Sequence, residues 1–112
     1  MKKIDSIIRP SKIEDVKEKL NNIGVTGMTV SQVLGYGMQK GHKQVYRGNE
    51  YNVNLLPKVM ISIIVADDMV DKAVDSIIEG ARTGEIGDGK IFIYNVEEAI
   101  RIRTGEKGQE AL

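Results

Sequence analysis

Cysteine is absent from the 112-residue chain, and neither sign of charge is in excess, since 16 basic residues balance 16 acidic ones. The missing cysteine excludes disulfides, thiolate metal sites and cysteine nucleophiles. The balanced charge removes the long-range field that draws proteins nonspecifically to nucleic acid or to anionic membranes. A charge-based function must therefore come from local clusters, and we expect no nucleic-acid partner.

Long hydrophobic runs are also missing. The longest, residues 59–66, has eight residues, whereas a membrane span needs about 20. Asp5 and Arg9 interrupt the apolar stretch behind the basic N-terminus, which argues against a signal-peptide core. We therefore expect one soluble, cytoplasmic domain over residues 1–112, large enough to bury its own core.

Two amphipathic helices are predicted. The first covers residues 12–23, with Ser11 and Glu14 at the spacing of a capping box and Gly24 suited to a left-handed stop. The second follows Asp67-Asp68, which we expect to cap it. The apolar stripes consist of Ile13, Val16, Leu20 and Ile23 in the first helix and of Val70, Ala73, Val74, Ile77, Ile78 and Ala81 in the second.

Four strands are predicted around these helices, at residues 2–8, 28–36, 58–66 and 90–96. The order strand, helix, strand, repeated twice, indicates a ferredoxin-like βαββαβ sandwich of the α+β class, with both helices on one face of the sheet. The last two strands are apolar on both sides, although this architecture leaves one sheet face open. We therefore expect a homo-oligomer packed through the open face. The alternative is a C-terminal tail folded over it.

The connection over residues 37–57 is longer than a turn between two strands requires. It contains three glycines and the aromatic residues Tyr46 and Tyr51. Loops of this length in small domains are usually functional or disordered, so we interpret it as a probe for partners. A long hairpin turning at Gly48-Asn49 is a compatible interpretation.

A glycine-rich segment, Gly87-Asp88-Gly89-Lys90, follows the second helix. Its glycines would let backbone amides approach an anion, although a strand follows where a Walker P-loop requires a helix, and a plain turn remains an alternative. Farther on, the alternation in Arg101-Ile102-Arg103 would place two guanidinium groups on one side of an extended segment. With Arg82 and Lys90, these arginines predict a polyphosphate site unless they are solvated surface.

Catalytic constellations are missing. His42, the single histidine, lies in a polar loop where we expect solvent exposure, and no Ser/His/Asp or metal-ligand spacing occurs. We therefore predict a protein that is not an enzyme. A small phosphatase or ATPase on the same fold, using the arginines, is the alternative, but it lacks a positioned base.

Residues 46–51, 83–96 and 96–106 closely resemble the PII nitrogen-regulatory signal proteins, and the resemblance continues in register along essentially the whole chain. The motifs that carry it are Tyr46-Arg47-Gly48-Asn49-Glu50-Tyr51, Gly87-Asp88-Gly89-Lys90-Ile91-Phe92 and Arg101-Ile102-Arg103-Thr104-Gly105. The resemblance implies a homotrimer in which residues 37–57 form the T-loop, residues 82–90 the B-loop and residues 101–112 the C-loop.

The resemblance further implies that ATP or ADP binds in clefts between subunits. One subunit would meet the phosphates with Gly87, Gly89 and Lys90, and its neighbour would supply Arg101 and Arg103. Adenine and ribose would contact a pocket lined by Thr29, Gly35, Ile64 and Ile86. The complete set implied for the nucleotide is Thr29, Gly35, Gly37, Ile64, Arg82, Ile86, Gly87, Asp88, Gly89, Lys90, Arg101 and Arg103.

With Mg-ATP, the resemblance implies that 2-oxoglutarate binds at the base of the T-loop. Gln39 would assist Mg²⁺ and Lys58 would pair with the distal carboxylate, and the backbone of residues 37–41, including Gly37, Lys40 and Gly41, would meet the keto acid. The implied function is regulation of nitrogen metabolism. The T-loop would change conformation and control an ammonium transporter, or nitrogen-assimilation enzymes and regulators, so that the chain meets a membrane only through a transporter.

Three loop positions bear on this implied function. Arg47 would be the residue inserted into a transporter pore, and Tyr51 matches a tyrosine that is uridylylated or adenylylated in some members. Met38 stands where many relatives carry an arginine that approaches the phosphates, so one charged contact would be missing. Asn49 stands where some members carry a phosphorylatable serine, and that modification cannot occur here.

Overall fold

The computed structural model describes residues 1–36 and 55–112 in full and the backbone of residues 42–46 and 49–53. Two helices and six strands are assigned within these ranges. Three short 3-10 turns accompany them, at Pro10–Lys12, Asp67–Met69 and Gly108–Ala111. In chain order, the elements are β1 Lys2–Ile8, α1 Ile13–Asn22, β2 Thr29–Tyr36, β3 His42–Tyr46, β4 Asn49–Val53, β5 Leu55–Val65, α2 Val70–Ala81 and β6 Lys90–Asn95.

Four of the strands form one antiparallel sheet in the order β2-β5-β1-β6. Ile4 on the central strand β1 lies opposite Ile63 of β5 on one side and opposite Ile93 of β6 on the other. The two strand-helix-strand units therefore interleave, so that β1 and β5 are central. This is the ferredoxin-like α+β arrangement that the sequence predicts.

The hydrophobic core lies between this sheet and the two helices. Alternate residues of β1 and β5 point to the helices, and Ile4, Ile61 and Ile63 are almost completely buried. Burying side chains of this size contributes about 1.5–3 kcal/mol each, which makes this layer the main source of stability. The helices approach closely at Gly80, where an added Cβ would lie 3.0 Å from the Cα of Val16.

Gly24 stops helix α1 as predicted: it lies two residues after the last helical residue, Asn22, and its φ is +90°. The Gly24 amide donates to the carbonyl of Asn21 and the Val25 amide donates to the carbonyl of Leu20, both at 3.0 Å. This pair of bonds is the Schellman arrangement, which satisfies the last helix carbonyls. Val25 and Leu20 are both buried, so the chain returns directly to the core.

The predicted helix N-caps are wrong. Instead of a capping box formed by Ser11 and Glu14, the 3-10 turn Pro10–Lys12 precedes α1, and neither the turn nor the helix has a side-chain cap hydrogen bond. Proline at the first position fixes a backbone angle that suits this tight turn. Asp67 is likewise inside a 3-10 turn, where its carboxylate pairs with the N-terminal ammonium at 2.9 Å, which lowers the pKa of Asp67.

The sheet face away from the helices carries exposed aromatic side chains beside a buried ionic group. Phe92 and Tyr94 are 43% and 48% exposed, whereas Asp5, next to Phe92 in the register, is 6% exposed. Ser62 donates a hydrogen bond to Asp5 at 2.7 Å, and Lys3 lies 3.5 Å from the same carboxylate. The open face therefore carries both apolar and polar side chains. A partly apolar open face is what the apolar residues on both sides of the strands predict.

The C-terminal tail does not bury this aromatic pair. Gln109 and Leu112 line a cavity at one end of the sheet, together with Val25 and Met69. Among the residues that the structure describes in full, no helix is long and apolar enough to cross a membrane.

The predicted hairpin within residues 37–57 is present as the pair β3 and β4. Tyr46 lies opposite Asn49, and His42 lies opposite Val53. Asn49 therefore belongs to a strand and not to the turn. Strand β5 begins at Leu55, three residues before the predicted start, because the extended backbone of Pro57 is compatible with a strand and continues the register opposite Leu34 of β2.

Candidate ligand-binding site

The loop between α2 and β6, residues 82–89, is shaped by glycines, and we call it the glycine-rich loop. Gly84, Gly87 and Gly89 have φ values of +90°, +103° and +107°, a region that other residues rarely adopt. An added Cβ on Gly89 would lie 1.7 Å from the carbonyl oxygen of Ile7. The loop backbone therefore packs directly on the end of β1, with no room for a side chain.

The carboxylate of Asp88 organises this loop from within. It accepts hydrogen bonds from the amides of Thr83 and Gly84, each at 2.8 Å, and from the Thr83 hydroxyl. The Thr83 hydroxyl lowers the pKa of Asp88 well below its usual range, with further contributions from the two amides and from Arg9. The ionised carboxylate thus has its acceptors directed at the loop itself, which assigns the Asp88 side chain a shaping role.

Arg9, at the end of β1, fastens the loop from outside. Its Nε donates to Asp88 at 3.2 Å and its Nη2 donates to the carbonyl of Ile86 at 2.9 Å. Sequence reasoning missed this role. The available signal was the sheet order, because pairing β1 with β6 brings the end of β1 beside the residues that precede β6.

Lys58 reaches the same loop from β5. Only 9% exposed, it donates from Nζ to the carbonyl of Gly87 at 2.6 Å. Its aliphatic stem passes over Gly35 of β2, where an added Cβ would lie 3.0 Å from the Lys58 Cγ. Burial lowers the pKa of Lys58, and the positive charge of Arg9 lowers it further.

Lys58 and the loop backbone at Gly87 and Gly89 border a cleft of about 400 Å³ at one end of the open sheet face. Six of the residues predicted for ligands are brought together here, and four apolar or aromatic neighbours complete the wall. The lining consists of Gly35, Lys58, Ile86, Gly87, Gly89 and Lys90, with Ile7, Tyr36, Leu56 and Phe92. Arg82 instead borders a second cavity, of about 420 Å³, between α2 and β6.

Two predicted nucleotide residues lie elsewhere in the chain. Thr29 and Ile64 belong to the opposite ends of the strands that carry Gly35 and Lys58, six residues away in each case. At about 3.3 Å per residue, this is a separation of about 20 Å. A single chain therefore does not bring the predicted nucleotide set into one site.

The predicted extended segment around Arg101 is wrong. The chain turns here, because the Gly105 amide donates to the carbonyl of Arg101 at 2.7 Å and Gly105 takes a φ of +73°. Arg101 also pairs with Glu106 at 3.1 Å and donates to the carbonyl of Leu112 at 3.2 Å. The alternation rule therefore does not apply, and Arg103 lies exposed within the turn.

Several predicted residues lie outside the described residues: Gly37, Gln39, Lys40, Gly41 and Arg47. Met38 lies there too, and Tyr51 is described only by its backbone in β4. In the remaining, fully described part of the chain, no group of three or more histidine and acidic side chains could hold a metal ion. The observed cleft does fit an anion, because Lys58 and Lys90 border it and glycine backbone forms one wall.

The fold and the cleft define a small α+β protein with a glycine-rich, basic cleft at one end of an open sheet face. Comparison with known proteins identifies it further. Residues 1–106 match the family model of nitrogen regulatory protein P-II. The chain belongs to the nitrogen regulatory protein P-II family.

Its relatives share the full length. It is 59% identical to nitrogen regulatory protein P-II 1 of Escherichia coli K12 and 55% identical to nitrogen regulatory protein P-II of Haemophilus influenzae, over 112 residues and all of each protein. A solved structure of Arabidopsis thaliana PII bound to citrate is similar in fold, with a TM-score of 0.80 and 42% identity, covering 98% of this chain and 87% of that one.

Proposed function

We propose that this chain is a regulator of nitrogen metabolism that binds ATP or ADP and, with Mg-ATP, 2-oxoglutarate. The observation that carries the proposal is the cleft that Lys58, Lys90 and the glycine-rich loop border together. Backbone amides near glycines and the Lys90 ammonium suit a phosphate ligand, and the Lys58 ammonium suits a carboxylate beside it. The zero net charge of the chain suits the same ligand, because a compact anion needs a local cluster and not a broad basic surface.

The nucleotide site is completed by a second copy of the chain. Gly87, Gly89 and Lys90 meet the phosphates from one subunit, and Arg101 and Arg103 reach in from the neighbour. The two clusters lie in different parts of one chain, which supports a site shared across an interface. The exposed aromatic face supplies apolar surface for such an interface, and we propose a homotrimer.

The nucleoside is held by groups from both subunits as well. Gly35 and Ile86 border the cleft in one chain, and Ile86 is 70% exposed and therefore available for contact with a ligand. Thr29 and Ile64 contribute from the neighbouring chain. Arg82, beside the adjacent cavity, adds positive charge at the margin of the phosphates.

We assign 2-oxoglutarate to Lys58 together with the segment 37–41, which lies outside the described residues. Lys58 pairs with the distal carboxylate, the backbone of Gly37, Lys40 and Gly41 meets the keto acid, and Gln39 supports Mg²⁺. The relative from Arabidopsis thaliana is described as bound to citrate, a polycarboxylate, which supports a carboxylate ligand in this family. When bound, Mg²⁺ would supply positive charge that offsets the negative charges of the phosphates and the keto acid.

The regulatory output is a change in residues 37–57. The pair β3 and β4 forms its own two-stranded sheet, separate from the main one, so ligand contacts at its base can shift its position. Targets are an ammonium transporter, contacted by Arg47, or nitrogen-assimilation enzymes. Tyr51 is the candidate position for uridylylation or adenylylation.

Calorimetry tests the ligand assignments. We expect ATP binding without 2-oxoglutarate, and 2-oxoglutarate binding only when ATP and Mg²⁺ are both present. Binding of 2-oxoglutarate that persists without either one contradicts the coupled site. Hydrolysis of ATP clearly above background in a purified sample contradicts the assignment as a regulator and favours a small ATPase.

Charge removal tests the phosphate assignment. Lys90→Ala and Arg103→Ala should each weaken ATP binding about tenfold or more, since each removes a charge-assisted contact. Lys72→Ala is the matched control, because it removes a lysine on the exposed side of α2, away from the cleft. Equal ATP affinity in the Lys90 variant and the control refutes the phosphate site.

A further inference from the structure

Two strands fasten the glycine-rich loop by different means. From β1, Ile7 packs against the backbone of Gly89 and Arg9 pairs with Asp88. From β5, Lys58 donates to the carbonyl of Gly87. The neighbouring strand β2 contributes only the space above Gly35. The loop conformation therefore depends on Lys58, the same lysine that the proposed function pairs with the distal carboxylate of 2-oxoglutarate.

The path of Lys58 is narrow. Its side chain crosses β2 at Gly35, where an added Cβ would approach Cγ to 3.0 Å and Cε to 3.6 Å. The φ of Gly35 lies outside the left-handed region, so its backbone conformation alone does not require glycine. The glycine is explained by the space that it leaves for the lysine stem.

We propose that Lys58 is a positioning residue for the glycine-rich loop, and that Gly35 makes this role possible by leaving the lysine stem its path. In the ligand-free protein, the ammonium holds the Gly87 carbonyl at 2.6 Å and thereby keeps the loop against the open sheet face. A partly buried, charge-assisted hydrogen bond of this length is among the stronger contacts that a short loop can have.

This inference deepens the proposed function and rests on it for one consequence. A carboxylate that pairs with Lys58 shares the three N–H donors of one ammonium with the Gly87 carbonyl. Pairing with the keto acid would draw the ammonium toward the carboxylate and weaken its hold on Gly87, so the loop would loosen there unless nucleotide phosphates hold it. One lysine thus links the two ligands through the protein itself, in addition to any link through Mg²⁺.

Hydrogen exchange of the ligand-free protein tests the positioning role directly. Suitable probes are the amides of Thr83, Gly84 and Glu85, which are hydrogen-bonded inside the loop. Lys58→Met keeps an unbranched stem and removes the donor. We expect exchange in the loop to become about tenfold faster, the lower end of what a hydrogen bond to a charged group contributes.

Two further variants separate the donor from the shape of the side chain. Gly35→Ala keeps the ammonium but displaces its stem, and it should also accelerate exchange in the loop. Gly27→Ala is the matched control, because an added Cβ there meets nothing within 4 Å and its φ is not in the left-handed region. Lys58→Arg retains a cationic donor and should restore slow exchange.

Loop exchange in Lys58→Met that equals exchange in the unaltered protein overturns the inference. So does a Lys58→Arg variant whose loop exchanges as fast as that of Lys58→Met. If Lys58→Met fails to fold, as judged by circular dichroism, the Gly35→Ala and Gly27→Ala pair decides the question, and equal exchange in that pair is the overturning result.

The outcome is independent of the ligand assignments. If ADP fails to bind the unaltered protein in calorimetry while Lys58→Met accelerates exchange, the proposed function fails and the positioning role stands. If ADP binds and Lys58→Met leaves exchange unchanged, the nucleotide site stands and the positioning role fails.

Discussion

The contact between Gly89 and β1 makes a prediction that can be worked through in numbers. In Gly89→Ala, the new Cβ would lie 1.7 Å from the Ile7 carbonyl oxygen, and Cβ atoms essentially never approach another heavy atom outside their own bonded neighbourhood to less than 3.0 Å. The loop would have to withdraw by about 1.3 Å. That movement would strain the pairing of Ile7 with Lys90, the first residue of β6.

Two costs add in this variant. A φ of +107° costs a residue with a side chain about 1–2 kcal/mol. Strained or lost hydrogen bonds at the junction of β1 and β6 add about 1 kcal/mol each. We expect a destabilisation of about 3 kcal/mol, which at about 4 °C per kcal/mol lowers Tm by about 12 °C in a domain of this size.

Two other glycines separate these costs. Gly84 has a φ of +90° but an added Cβ there meets nothing within 4 Å, so Gly84→Ala should lose only about 1 kcal/mol. Gly27→Ala has neither problem and should stay within about 0.5 kcal/mol. Thermal unfolding is followed by circular dichroism at one protein concentration, since the homotrimer proposed above would make Tm concentration-dependent. Equal Tm values for Gly89→Ala and Gly84→Ala would refute the close approach of loop and strand.

Three other predictions follow from described contacts. Because hydrogen bonding lowers the pKa of folded Asp88, its carboxylate stabilises the protein above the ordinary value of 3.8, and this stabilisation is lost as pH falls through that value toward the lowered one. The Tm difference between the unaltered protein and Asp88→Asn should therefore narrow between about pH 5 and about pH 2.5, and a constant difference contradicts the assignment. Gly80→Ala should destabilise by about 1 kcal/mol despite the better helix propensity of alanine, because its Cβ presses on backbone atoms of Val16, and a higher Tm shows that the helices can separate freely. Ser62→Ala removes a hydrogen bond to the buried carboxylate of Asp5 and should cost about 1–2 kcal/mol in urea unfolding, whereas an unchanged midpoint indicates that Asp5 finds another donor.

Element types were predictable because each depends on local periodicity. The apolar stripes of α1 and α2 and the alternation in the strands are visible in a few consecutive residues, and Gly24 marks the end of α1 by its own conformational freedom. The element order then restricts the topology to very few choices. The two-sided strand pattern correctly indicated a partly apolar open face.

The helix starts and the segment after Ile100 were not predictable by the same rules. Pro10 and Asp67 both begin 3-10 turns, so side chains spaced for capping an α-helix do not reach its free amides. Arg101 is held by Glu106, and Gly105 turns the chain before any alternation can develop. At the helix starts and after Arg101, the local sequence is compatible with more than one backbone conformation. Contacts with neighbouring residues in the fold decide which one forms.

The candidate site likewise has one part that the sequence predicted and one part that it did not. Gly87, Gly89 and Lys90 were visible as a motif, because one glycine-rich stretch carries all three. Arg9 and the loop-holding contact of Lys58 were invisible, since each joins residues far apart in the chain: Arg9 to Asp88, and Lys58 to Gly87. Such contacts follow only from the sheet order.

The way in which the glycine-rich loop is fastened also limits what a protein engineer could do with it. Residues 82–90 look like a portable sequence motif, yet their conformation is set by Ile7, Arg9 and Lys58, which come from two other strands. Transplanting the nine-residue stretch into another scaffold would leave these anchors behind. A successful graft would need the ends of β1 and β5 and the bare backbone at Gly35, which makes the transferable unit a corner of the sheet and not a loop.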